Sequence, residues 1–202
     1  PSSKFSTVAG WIATGGYGIN SFRYGHLSAQ IESMTVVVPG GDIRKLAPTD
    51  REFKYFVSSE GEFGVIAEAT LTLRNIPQAS YPRILYFTTD AQAFDFISRF
   101  VKTAVAEKMT PNVIRFVDGN HLSDADKLLR APVFKETAAV LLEFDNPADD
   151  EKFTRLAANE PGIEEAPPYA AGYLWNERLF GMKTKRLGPT ILAGEIIIPL
   201  GK

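Results

Sequence analysis

The chain has 202 residues, is 45% hydrophobic and 23% charged, carries a formal net charge of −2 and contains no cysteine. Such a composition is that of an ordinary globular protein long enough to bury a core in one domain or two. It excludes disulfides, thiolate metal sites and cysteine catalysis, and gives no electrostatic reason to expect nucleic acid or an anionic membrane as partner. The lack of cysteine also fits a reducing, cytoplasmic setting. His26 and His121 are the two histidines; they are distant in sequence, without metal-ligand spacing, so no metal site is expected. No apolar run reaches the ~18 residues of a spanning helix, and no signal peptide is evident. The chain opens at Pro1 and closes at Gly201-Lys202 behind an apolar strand pattern. Both ends read as cuts from a longer protein.

The first feature in chain order is a glycine-rich turn, Ser6-Thr7-Val8-Ala9-Gly10-Trp11-Ile12-Ala13-Thr14-Gly15-Gly16-Tyr17-Gly18. Met34 to Val38, the turn Pro39-Gly40-Gly41-Asp42 and Ile43 to Leu46 predict a β-hairpin. Asp50 is placed to cap a short helix with Phe53, Phe56 and Val57 on one face. A second glycine-rich turn begins at Ser59-Glu60-Gly61-Glu62-Phe63-Gly64 and runs into an alternation from Phe63 to Leu73 with apolar odd positions. That alternation predicts a half-buried strand. Strand-like apolar residues flank both turns, so both are expected on a rigid sheet, forming a site read by main-chain amides.

Ile76 to Pro82 breaks this pattern and marks a domain boundary, with 1–78 as one domain and 79–202 as the other. Beyond it, strands alternate with longer helices. Strands are expected at Arg83 to Thr88, Asn112 to Val117, Ala138 to Phe144 and Ile191 to Pro199. Between them lie a helix capped by Asp90 with Phe94, Ile97, Val101 and Val105 aligned, a short helix near Ser123 to Leu129, and a helix from Asp149 to Ala158. Trp175 to Lys185 is a further helix. The order β-α-β-β-α-β approximates a ferredoxin-like unit, and other α+β arrangements fit nearly as well.

Gly15-Gly16-Tyr17-Gly18 is not G-x-G-x-x-G, Gly181-Met182-Lys183-Thr184 lacks the earlier glycine of a phosphate loop, and no G-x-S-x-G is present. The ordered set is more specific. It comprises S-T-V-x-G-W-I-A-T, then Arg23-Tyr24-Gly25-His26, then Val36-Val37-Val38-Pro39-x-Gly41, then S-E-G-x-F-G-V-I-A-E-A-T. This series resembles the FAD-binding type 4 domain of the vanillyl-alcohol oxidase superfamily. Relatives there include glycolate oxidase subunits, D-lactate and D-2-hydroxyglutarate dehydrogenases and alkyl-dihydroxyacetonephosphate synthase.

The resemblance implies an α+β fold: the second subdomain of such an FAD-binding domain, followed by a partial ferredoxin-like substrate cap. It implies FAD as cofactor, faced by Ser6, Thr7, Gly10, Trp11, Thr14, Gly15, Gly16 and Tyr17 from the first turn. From the second turn it implies Glu60, Gly61, Gly64, Val65 and Ile66, where a side chain at Gly61 or Gly64 would obstruct the cofactor. The family's first subdomain, with its pyrophosphate loop, would precede Pro1, and the histidine-rich end of the cap would follow Lys202. Leu174-Trp175-Asn176-Glu177-Arg178 resembles an L-W-x-x-R element whose arginine holds a substrate carboxylate. A solvated helix-surface arginine is the other reading of Arg178. Ala193 stands where those relatives carry a lysine, and Glu195 reads as an edge-strand charge. His26 reads as a surface residue after a turn, His121 as a loop residue, and Trp11 and Tyr24 as packing residues.

The expected function is that of a fragment of an FAD-dependent oxidoreductase acting on a small hydroxylated substrate, a 2-hydroxy acid, by hydride transfer to flavin. Its partners are then FAD, the substrate, the missing parts of the parent chain and an electron acceptor, which can bring it to a membrane surface. No residue is assigned as catalytic base. Two alternatives stand beside this: an inert scaffold without stable FAD binding, and a non-redox flavoenzyme like the ether-lipid synthase.

Overall fold

The computed structural model describes residues 5–158, 160, 163–179 and 181–188; the expected strand from Ile191 to Pro199, with Ala193 and Glu195, lies outside them. The chain divides into two compact units, residues 2–76 and residues 77–202. The architecture is α+β, with an antiparallel sheet in each unit.

The first unit carries strands β1 (Ile31–Val37), β2 (Ile43–Leu46) and β3 (Val65–Leu71) in the order β2-β1-β3. The expected hairpin forms: Val37 pairs with Ile43 and Met34 with Leu46. Its turn is closed by the Val38 N–H donating to the Asp42 carbonyl at 3.0 Å. In β3 the expected phase holds along only part of the strand. Ile66 is buried opposite Val36, whereas Val65 is 68% exposed. A register shift between Thr35↔Glu68 and Val36↔Ile66 leaves Ala67 as an extra residue. This bulge inverts the alternation, so Ile66 faces the core before it and Ala69 and Leu71 after it. Asp50 does not cap a helix; its carboxylate accepts the Ala47 N–H at 2.7 Å and fixes a turn. Only a 3₁₀ turn, Phe53–Tyr55, follows, and it still buries Phe53 and Phe56.

Ahead of the sheet lie two short helices, α1 (Val8–Ala13) and α2 (Ser21–Tyr24). The first glycine-rich segment is therefore built on a helix rather than between strands. Thr7 starts α1, its Oγ1 accepting the Gly10 N–H at 3.0 Å, and Ile12 anchors the helix in the core.

The second unit runs β4 (Tyr81–Phe87), α3 (Asp90–Ala106), β5 (Val113–Val117), α4 (Gly119–Leu129), β6 (Ala138–Phe144), α5 (Pro147–Ala157), β7 (Glu164–Glu165) and α6 (Pro168–Glu177). A 3₁₀ segment, Gly181–Leu187, follows. The sheet order is β5-β6-β4-β7, antiparallel throughout. Every residue of β6 is buried, as expected of a central strand covered on both faces. Leu85, Phe87, Val140, Leu142 and Phe144 face α3 and α5 through Phe96, Phe100 and Phe153. Alternation turns Ile84, Tyr86, Ala139 and Leu141 to the opposite face, where α6 packs on β4.

Helix limits differ from expectation where another residue supplies the cap. The cap of α3 is Thr89, in a capping box with Gln92, so Asp90 is its first residue. Its buried face is Ala93, Phe96, Phe100 and Ala104, while Phe94 and Val105 are 52% and 75% exposed. Asp118 caps α4 by accepting the His121 N–H at 2.9 Å, so His121 lies in a helix and not a loop. Asn146 and Pro147 start α5, and Pro168 starts α6 well before Trp175.

Candidate functional site

In the first unit the two glycine-rich segments meet. The C-terminus of α1 closes with the Gly15 N–H on the Ile12 carbonyl at 3.1 Å and the Gly16 N–H on the Trp11 carbonyl at 3.2 Å. This is a Schellman closure with Gly15 left-handed at φ +67°. The Ser58 N–H also donates to the Ile12 carbonyl, at 3.1 Å, and the Glu60 N–H donates to the Ala13 carbonyl at 2.8 Å. Thr14, Gly15, Gly16, Glu60 and Gly61 thereby share one surface.

Close approach inside the unit explains several of the small residues. A Cβ on Gly15 would lie 2.5 Å from the Ser58 Cβ, and one on Gly64 (φ +146°) would lie 2.4 Å from the Val37 carbonyl oxygen. A Cβ on Gly16 would strike the Trp11 indole at 1.6 Å. Beside Gly61 there is open space, its nearest neighbour being the Gly64 carbonyl oxygen at 4.0 Å. The need for glycine at Gly64 thus comes from packing on β1, whatever else approaches it.

Within these two segments several apolar side chains are exposed: Val8 49%, Trp11 37%, Tyr17 43%, Phe63 47% and Val65 68%. Ser6, Thr7, Gly10 and Thr14 are exposed too, whereas Ile66 commits its side chain to the core. His26 is no idle surface group. Its Nδ1 accepts the Ser28 N–H at 3.2 Å, which places the proton on Nε2, 3.2 Å from the Gly15 carbonyl oxygen. Its ring also lies 4.7 Å from that of Tyr17. Tyr24 packs, as expected, under the Arg74 guanidinium at 3.9 Å.

In the second unit, Arg178 ends α6. Its guanidinium stacks 3.7 Å from the Trp175 ring, and Nη1 donates to the Trp175 carbonyl at 2.6 Å. It is half-buried rather than solvated. With Arg115 of β5 and His121 of α4 it lines a pocket of about 70 Å³, completed by Leu174, Tyr173, Glu177, Lys183 and Thr184. Among the described residues, neither Arg115 nor Arg178 has a carboxylate within ion-pairing distance, whereas Lys183 pairs with Glu177. Burial pushes both guanidinium pKa values down, partly offset by the charge of Asp118 for Arg115 and of Glu143 for Arg178. Burial, then the charge of Arg115, push His121 below the ordinary histidine value, so the imidazole is neutral near pH 7. Such a pocket suits an anion, since half-buried guanidinium groups without a carboxylate to balance their charge are unfavourable until one arrives.

Sequence reasoning singled out Arg178 and missed Arg115 and His121. The available signal was an arginine inside Val113-Ile114-Arg115-Phe116-Val117, where alternation puts it on the face of Val113 and Val117. Both Val113 and Val117 are buried. Among the described residues no cluster of metal-ligating side chains occurs, and no helix is long and apolar enough to cross a membrane.

Residues 1–47, which include the first glycine-rich turn, match the type 4 FAD binding domain. The chain is similar to D-lactate dehydrogenase of Anaerostipes hadrus, 26% identical over 165 residues, covering 75% of this chain and 34% of that protein. It is also similar to alkyldihydroxyacetonephosphate synthase of Dictyostelium discoideum, 30% identical over 150 residues, covering 71% and 24%. A mitochondrial cytochrome-type D-lactate dehydrogenase of Arabidopsis thaliana is 28% identical over 138 residues. A solved alkyldihydroxyacetonephosphate synthase superposes with a TM-score of 0.66 at 25% identity, covering 92% of this chain and 39% of that one. The resemblance drawn from the sequence is borne out: the relatives are FAD-linked enzymes of the D-lactate dehydrogenase and alkyldihydroxyacetonephosphate synthase kinds. The chain spans about a third or less of the length of these curated relatives.

Proposed function

We propose that the protein to which this chain belongs is an FAD-dependent oxidoreductase that oxidises a small 2-hydroxy acid. In this reading the first unit is the second subdomain of the FAD-binding domain, and the second unit is part of the substrate cap. The carrying observation is the meeting of the two glycine-rich turns at the end of α1, within a chain whose residues 1–47 match an FAD binding domain. The β5-β6-β4-β7 order supports a ferredoxin-like cap. With strands numbered within the unit it reads 2-3-1-4, with α4 inserted between the second and third strands.

The residues present fit one part of the cofactor. Trp11, Tyr17, Phe63 and Val65 offer apolar area to a flat ring; the N–H groups of Gly15, Gly16 and Glu60 are spent on α1 carbonyls, which leaves backbone carbonyls and the Thr14 hydroxyl oxygen as acceptors beside it. Neither turn carries a lysine or arginine, and the second carries Glu60 and Glu62. This surface therefore suits the uncharged ring system and not the diphosphate. When bound, FAD would accept the hydride. Arg178 would hold the substrate carboxylate, pre-oriented by its stacking on Trp175. With no basic side chain in either turn to hold the diphosphate, the chain by itself should bind FAD more weakly than micromolar.

A second reading, non-redox flavin chemistry of the alkyldihydroxyacetonephosphate synthase kind, is favoured by the structural likeness over 92% of the chain. Anaerobic addition of D-lactate or D-malate to the full polypeptide loaded with FAD separates the two. Bleaching of the visible flavin band supports oxidation. A flavin band that neither acid bleaches points to the second reading, and failure to acquire a flavin band at all overturns both.

A further inference from the structure

The pocket between α4, β5 and the end of α6 has more positive charge than one carboxylate requires. Arg115 enters from β5 and Arg178 from the end of α6, and both line the same cavity of about 70 Å³. Each is half-buried and, among the described residues, without a carboxylate at ion-pairing distance. The acids nearby are already engaged elsewhere. Glu143 accepts hydrogen bonds from the Ser80 hydroxyl at 2.7 Å and the Asn112 amide at 2.8 Å. Asp118 is exposed and caps α4, and Glu177 is paired with Lys183. His121 adds no charge when neutral and offers a ring nitrogen to a bound anion. Two partly desolvated guanidinium groups facing one cavity are relieved by two negative charges better than by one.

We infer that this pocket takes a doubly anionic small molecule, Arg178 binding one carboxylate and Arg115, with His121, binding a second acidic group. The second group is a carboxylate, as in a 2-hydroxy dicarboxylate, or a phosphoryl group. Both offer planar or trigonal arrays of oxygens to a guanidinium fork. The inference rests on the reading of Arg178 as the carboxylate-binding residue and narrows its substrate class. A monocarboxylate such as lactate would leave Arg115 without a partner.

The imidazole of His121 reports occupancy directly, because His26, in the other unit, is the sole other histidine and serves as an internal reference. Groups facing or close to His121 are Arg115 from β5, Asp118 at the cap of α4, Asp124 and Lys127 along it, Tyr173, Glu177 and Arg178 from α6, and Lys183 from the 3₁₀ segment. An anion on Arg115 offsets the positive charge that depresses His121, so its titration midpoint moves up. The test is histidine-detected NMR of the whole chain titrated with D-lactate, D-malate and inorganic phosphate. D-Malate or phosphate should bind at least tenfold more tightly than D-lactate and raise the His121 midpoint, with His26 unmoved. Arg115→Gln should erase that preference, and Arg115→Lys should retain part of it. Which of the two dianions binds assigns the second group. Equal affinity for D-lactate and D-malate with no phosphate binding overturns the inference, as does a preference that survives in Arg115→Gln. D-Lactate binding that is lost in Arg178→Gln, without any dianion preference, sinks the inference alone. No response to any of the three anions sinks it together with the assignment of Arg178.

Discussion

The Glu60 N–H donates to the Ala13 carbonyl at 2.8 Å, and through this bond the second glycine-rich turn completes the end of the helix that begins the first. Segments some forty residues apart in sequence become one surface because helix-terminal carbonyls need donors and a loop with left-handed residues supplies them. Ser58 and Glu60 adopt φ values of +61° and +53° to do so.

Gly15 is the tightest point of this junction. Gly15→Ala imposes a left-handed alanine and drives its Cβ to 2.5 Å from that of Ser58. A loss of about 1–3 kcal/mol from the first unit is expected, from backbone strain before any clash is counted. Urea unfolding followed by tryptophan fluorescence measures it, and Ser58→Gly in the same chain should recover part of the loss. Unchanged stability would show that the turn is not held as described.

His121 makes the second unit sensitive to pH. Its folded pKa lies below the ordinary value because of burial and then Arg115, so the unfolded chain takes up the proton first as pH falls. The contribution of neutral His121 is therefore complete above the unfolded value of ~6.5 and is lost as pH falls below it towards the folded value. Stability of the second unit should decline as the pH falls below ~6.5, and His121→Gln should flatten that slope. An identical slope in the variant would contradict the assignment. Asp149 acts lower on the scale. Burial would raise it, but hydrogen bonds from Asn146 and Thr110 outweigh that and hold it below the usual carboxylate value. Its contribution fades only as the pH falls through the acid range beneath that value.

Arg83 ties strand to helix in the same unit. It donates from Nε and Nη2 to the two oxygens of Asp150 at 2.8 Å, and from Nη1 to Glu165 at 2.9 Å. Asp150→Asn should cost about 1.5–3 kcal/mol, as expected for charged hydrogen bonds shielded from water. The exposed Arg99–Asp95 pair supplies the contrast, and Asp95→Asn should cost no more than about 1 kcal/mol. Equal effects of the two substitutions on the denaturant midpoint would refute the distinction.

Much of the fold was legible where local rules act alone. The hairpin around Pro39-Gly40-Gly41-Asp42 and strands β4, β5 and β6 follow from turn chemistry and apolar runs. The failures have particular causes. Ala67 is a bulge, and a single extra residue reverses every later side chain, which alternation read straight through cannot reveal. On α3, Phe94 and Phe96 compete for the buried face, and only packing against Phe87, Phe100 and the sheet decides for Phe96. Of the candidate site, Arg178 was legible from Leu174-Trp175-Asn176-Glu177-Arg178. Arg115 and His121 join it through strand pairing and helix packing, and no local spacing encodes that proximity. The glycines were legible as constrained, but Gly64 is constrained by Val37 of its own unit.

The central proposal is that this chain belongs to an FAD-dependent 2-hydroxy-acid oxidoreductase, with the first unit facing the flavin and the second the substrate. Its most direct test is anaerobic reduction of the FAD-loaded full polypeptide, followed by the visible flavin band. The account predicts bleaching by a D-2-hydroxy acid, slowed at least tenfold in Arg178→Lys with the flavin band retained. A stable flavin band that neither D-lactate nor D-malate bleaches would contradict it.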